Sequence, residues 1–129
     1  MSFSQVTMAA LVPGGRLAIC GDLTAEEARD AGSAEIFFVV HQDGTTVRGQ
    51  GKRFAGDTRW GACSRPDQPS LTPGQAVVFG LVVMEGTGPV GFTTFTWTQV
   101  VTIEDGLPPG RPDPCSSRPG TAARCAGAR

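Results

Sequence analysis

The chain has 129 residues, which fits one domain, and 40% of them are hydrophobic, enough to bury a core. Eighteen glycines and ten prolines are too many for a helical bundle and suit turns between short strands. The formal net charge of −1 divides into about −3 over residues 1–104 and about +2 over 105–129, which gives a folded nucleic-acid binder no basic surface.

The N-terminal "MSFSQVTMAALVPGGRLAIC" has no basic start, and its apolar run over residues 8–12 is shorter than the core of a signal peptide. No apolar stretch approaches the length of a membrane span. The expectation is a cytoplasmic protein that is neither secreted by that route nor inserted in a membrane. Residues 3–12 alternate loosely up to Pro13-Gly14-Gly15 and read as a first strand. "RLAICG" reads as a second, with Leu17 and Ile19 on one face.

"LTAEEARDAG" predicts a helix of about two turns, because Thr24 and Glu27 form a capping box and Gly32 suits the stop. Its alanines bury little, so it reads as a capped surface connection, with a βαβ crossover as the rival. "SAEIFFVVHQDGTTVRGQGKRF" is strand, Asp43-Gly44 turn, strand. "TRWGACS" is a further short strand and "SRPDQPSLTPGQ" a loop. Residues 76–84 and 92–103, joined across "EGTGPVG", complete seven strands. That spacing is the pattern of a β-sandwich or barrel.

At "SLTPGQAVVFGLVV" the chain resembles the L-x-P-G turn that leads into strand F of fibronectin type III domains, followed by the F–G hairpin. Taken over residues 3–103, it resembles immunoglobulin-like and fibronectin type III-like modules. Val78 stands where such domains usually carry a tyrosine, and the chain has none. The resemblance implies a seven-stranded antiparallel Ig-like sandwich over residues 1–104. In it the second and fifth strands are neighbours, and residues 76–84 lie between 34–41 and 92–103. It implies no particular ligand. Residues 105–129 hold almost no large apolar side chain and are expected to form a disordered Pro/Gly/Arg-rich tail, open to trypsin at Arg111, Arg118 and Arg124.

Catalytic chemistry has little to build on. His41 is the one histidine and sits at a strand end, where an exposed imidazole is the plain reading. Ser64 lacks a G-x-S-x-G elbow. "GQGKRFAG" fails both phosphate-loop templates, since Phe54 occupies the third glycine position and Arg53 follows Lys52. Glu26, Glu27 and Asp30 fit a helix cap, and Asp22 and Asp57 lie in no calcium loop. Trp60 and Trp97 would stack on sugars only if exposed, and Trp97 shares a face with Phe95, Val101 and Ile103, interrupted by Gln99.

Cys20, Cys63, Cys115 and Cys125 lack paired metal-ligand spacing, so neither a metal nor a cofactor is expected. Parity sends Cys20 and Cys63 outward on neighbouring strands of the implied sandwich. A cross-strand disulfide and two surface thiols both remain open there.

Residues 76–84 are apolar on both faces, which an antiparallel sheet with one wet side should not be. If Val77, Phe79, Leu81 and Val83 face the core, then Val78, Val82 and Met84 face outward. With Ile36 and Phe38 inward, Phe37 and Val39 join that outer face, as do Thr94, Thr96 and Thr98. The expected partner-binding residues are Phe37, Val39, Val78, Val82, Met84, Thr94 and Thr96. A loop over residues 64–75 folded across the face is the rival. The expected function is a non-enzymatic protein-interaction or assembly module, as a homo-oligomer or with a protein partner. The alternative is a small-ligand or carbohydrate-binding β-domain.

Overall fold

The computed structural model describes residues 4–23, 34–53, 59–85, 92–110 and 113–116. The seven strands are β1 (Ser4–Leu11), β2 (Leu17–Leu23), β3 (Ala34–Gln42), β4 (Thr45–Arg53), β5 (Arg59–Ser64), β6 (Gly74–Glu85) and β7 (Phe92–Ile103). A 3-10 turn, Pro114–Ser116, follows. The helix expected over residues 24–32 lies outside the described residues.

The strands pair antiparallel in the order β1-β2-β5-β4-β3-β6-β7. The inferred neighbours, β2 with β5 and β6 between β3 and β7, are those observed. The sandwich is not: the strands close into a seven-strand barrel. Two features of β4 remove the break between sheets. At the β3–β4 turn, Asp43 and Gly44 both have positive φ (47° and 82°), the twist of a tight two-residue hairpin, so the two strands pair over their whole length. On the far side, Gly51 lets β4 approach β5 so closely that a Cβ there would overlap the Gly61 carbonyl.

The seam closes between β1 and β7. Leu11 N donates to Glu104 O (2.9 Å) and Glu104 N to Ala9 O (2.8 Å), around a parallel bridge of Ala10 with Glu104. Further along, no direct backbone bond joins the two strands among the described residues. There the Gln99 carboxamide acts as a peptide group, accepting from Val6 N at 2.8 Å and donating to Val6 O at 2.9 Å. Gln99, a polar member of the β7 core stripe, thus completes the wall. A bulge between Val6 and Met8 shifts parity, so that Val6 and Ala9 face the interior while Met8 and Ala10 face outward.

Inside, large and small residues alternate across four strands. Gly49 lies opposite Phe38, Phe38 opposite Gly80, and Gly80 opposite Trp97. A Cβ at Gly49 would overlap the Phe38 ring, and one at Gly80 the Trp97 indole. Trp60 fills the interior beside Trp97, ring centroids 6.0 Å apart. The loop after β5 closes one end of the barrel. Leu71 is buried, and the Gln42 side chain donates to Thr72 O and accepts from Thr72 N, both at 2.8 Å. That loop therefore contributes to the core at the barrel end.

Outside β1, β2 and β5 a second apolar cluster of Met8, Ala10, Val12, Ala18 and Cys20 is covered by Leu107 and Cys115. Cys63 and Cys115 form a disulfide. The expectation of two surface thiols or a Cys20–Cys63 bridge is corrected here. Parity does place both cysteines on one outer face, but Cys63 lies opposite Ala18 and Cys20 opposite Gly61, and the chain after β7 returns over that face. Cys20 is buried and likewise disulfide-bonded. Among the described residues after β7, Leu107 packs on that cluster and Cys115 is bonded to β5, forming a strap over the barrel wall. Residues 117–129 lie outside the described residues.

Candidate functional site

The opposite outer wall, formed by β3, β6 and β7, presents an apolar surface. Register sets its rows: His41, Val77 and Val100; Val39, Phe79 and Thr98; Phe37, Leu81 and Thr96; and Glu35, Val83 and Thr94. Phe79 is 44% exposed and Val100 63%, while Phe37, Val39, Val77, Leu81 and Val83 are half-buried. A shallow depression lies at the centre, lined by Phe37, Val39, Phe79 and Leu81 and edged by Arg48 and Arg65. His41 borders it, with Nδ1 2.8 Å from Thr46 Oγ1 and its ring edge-on to Phe79 at 5.3 Å.

Four of the expected partner-binding residues stand on this wall: Phe37, Val39, Thr94 and Thr96. Val78 and Val82 do not. Both are 0% exposed and belong to the barrel core, so the parity inferred for β6 is inverted. The cause is Gly80. Trp97 turns inward and needs a residue without a side chain opposite it, which fixes Gly80 on the core side and carries Val78 and Val82 with it. Met84 lies opposite Ala34, and its side chain is outside the described residues. The outward residues of β6 are therefore Val77, Phe79, Leu81 and Val83. The one signal in the sequence was that glycine within an otherwise bulky strand, beside a strand carrying a tryptophan.

The other chemical groups are held in structural roles. Ser64 is buried, its Oγ accepting from Leu17 N at 2.8 Å, while Arg16 donates to its carbonyl from Nε (3.0 Å) and Nη2 (2.8 Å). This arrangement ties β2 to β5. Trp60 is 1% exposed and offers no face to a sugar, and Trp97 is packed against the core. Among the described residues no three His, Cys, Asp or Glu side chains gather as a metal site. Glu26, Glu27, Asp30, Phe54 and Asp57 lie outside the described residues. No described helix is long and apolar enough to cross a membrane.

No protein-family model matches the chain, and no curated protein matches it. Among solved structures it is similar to AggA, the major subunit of the type I aggregative adherence fimbriae of Escherichia coli. Identity is 12%, over 81% of this chain and 97% of that one, with a TM-score of 0.38. Residue roles do not transfer at that distance.

Proposed function

We propose that this barrel is a non-enzymatic protein-interaction or assembly module that docks through the outer wall of β3, β6 and β7. The observation that carries the reading is the row Val39, Phe79, Thr98 beside Phe37, Leu81, Thr96: uncharged, with Phe79 exposed and Phe37, Val39 and Leu81 half-buried around it. Full burial of side chains of this size yields about 1.5–3 kcal/mol each, and the share that is still exposed here is realised only against a partner. The occupant is a second copy or a partner subunit with an equally apolar face. The strand order supports an Ig-like ancestry as part of the same proposal, since it sets A-B-E-D beside C-F-G.

Light scattering over a concentration series tests the reading. The wild type should exceed monomer mass alone or with its partner, and Phe79→Lys with Leu81→Lys should remain folded and monomeric. A wild type that stays monomeric at high concentration and binds no protein contradicts it.

For location, we propose an oxidising compartment in place of the cytoplasm. The Cys63–Cys115 disulfide and the bonded state of Cys20 support this, because such bonds rarely persist in reducing cytosol. Alkylation and mass spectrometry of protein taken from its native cells would test it. Free Cys63 and Cys115 there would contradict the proposal.

A further inference from the structure

The depression on the apolar wall has a basic rim. Arg48 on β4 lies opposite Val39, and the β4–β5 register, carried one step beyond Gly49 and Ser64, sets Arg65 opposite Arg48. Arg65 N donates to Arg48 O at 3.0 Å and Arg48 N donates to Gln68 Oε1 at 2.9 Å, so both backbones are held in place. Gly49 and Ser64 are buried, which turns the two arginines outward together. Both are exposed, and both line the depression beside Phe37, Val39, Phe79 and Leu81. Like charges set directly opposite each other on a sheet destabilise it. A local conflict of that kind is expected where a sequence serves a site and not the fold. Asp67, two residues after Arg65, accepts from Gln68 Nε2 at 3.5 Å.

We propose that the depression takes an acidic segment of a partner protein, with an apolar side chain seated on Phe79 and Leu81 and a neighbouring carboxylate held by Arg48 and Arg65. This rests on the docking wall proposed above and names the chemistry of its partner. Two guanidiniums side by side offer paired N–H donors that match the oxygens of a carboxylate. Binding an anion there also relieves the repulsion between them. Among the described residues of the wall, the carboxylate that a second copy would bring is Glu35, and Lys52 already stands opposite it. Charge therefore favours a different protein over a second copy. The depression is shallow, whereas sites for small ligands enclose most of the ligand, which favours a protein segment over a free fatty acid.

The test is selection of a random peptide library displayed on phage against the full, disulfide-bonded chain, followed by calorimetry with the selected peptides. They should carry Asp or Glu close to Leu, Ile or Phe. Arg48→Gln/Arg65→Gln, which changes exposed side chains and removes a like-charge pair, should fold and bind them about tenfold more weakly or worse, as expected for lost charge-assisted hydrogen bonds. Their affinity for the wild type should fall as salt is raised. Selected peptides with no acidic excess, peptides that the arginine variant binds equally, or a library that yields no binder each overturn the proposal. Tighter binding of decanoate than of the peptides also overturns it, since the site would then take a small amphiphile. Phe79→Lys separates this proposal from the one it rests on. Peptides lost in Phe79→Lys but kept in the arginine variant leave the docking wall standing and remove its acidic partner. Acidic peptides that bind Phe79→Lys as well as the wild type take down the docking wall, and with it the apolar seat.

Discussion

Gly80 lies opposite Trp97 in the β6–β7 register, and the indole occupies the space where a Cβ of residue 80 would stand. This one relationship decides which half of β6 is core and which half is surface. Substituting alanine for Gly80 should destabilise the fold by about 1–3 kcal/mol, the usual cost of overpacking. Thermal unfolding measures it. The double variant Gly80→Ala/Trp97→Leu should recover part of the loss, because the overlap disappears with the ring. Additive losses would show that the two residues do not share this space.

Lysine substitutions on β6 should separate by parity. At Val82, 0% exposed, a lysine buries an unpaired charge and should cost several kcal/mol, enough to prevent folding of a domain of ordinary stability. At Phe79, 44% exposed, the ammonium reaches solvent and the fold should survive. Circular dichroism and soluble yield distinguish the two. Equal tolerance at both positions would restore the opposite parity.

The seven strands and the turns at Pro13-Gly14-Gly15 and Asp43-Gly44 were legible in the sequence because alternation and turn residues are local signals. The wall was legible in part. Phe37 and Val39 follow from the pattern of β3, and Thr94 and Thr96 from that of β7. β6 is apolar at both parities, so alternation gave no answer there, and only contact with Trp97 on another strand breaks the tie. Barrel closure rests on glycines that permit close approach, and the strap rests on pairing between residues 63 and 115. Neither relation is visible in a local window.

Removing the Cys63–Cys115 disulfide by Cys63→Ala/Cys115→Ala opens a link between residues 52 apart in sequence. The chain-entropy estimate for a loop of that size is about 4 kcal/mol. The strap should loosen, uncovering Met8, Ala10, Val12 and Ala18 and raising binding of a hydrophobic dye. Digestion with a glutamate-specific protease offers a second check: the peptide that follows Glu104 and carries Cys115 should stay joined to the peptide carrying Cys63 until reductant is added. Its release without reductant would place Cys115 elsewhere.

Gln99→Leu keeps the side-chain volume but leaves the Val6 N–H and C=O without their partners. A loss of about 1–3 kcal/mol is expected, with faster amide exchange at Val6. Gln99→Glu should recover only the acceptor half. If exchange at Val6 is unchanged in Gln99→Leu, the carboxamide is not what closes the seam.

The proposal that the wall docks is tested most directly by hydroxyl-radical footprinting of Phe79, read by mass spectrometry in the assembled protein and after dilution to monomer. The account expects Phe79 to be oxidised readily in the monomer and to be shielded on assembly, with Phe38 in the core protected in both states. Equal oxidation of Phe79 in both states, in a sample shown to be assembled, would contradict it.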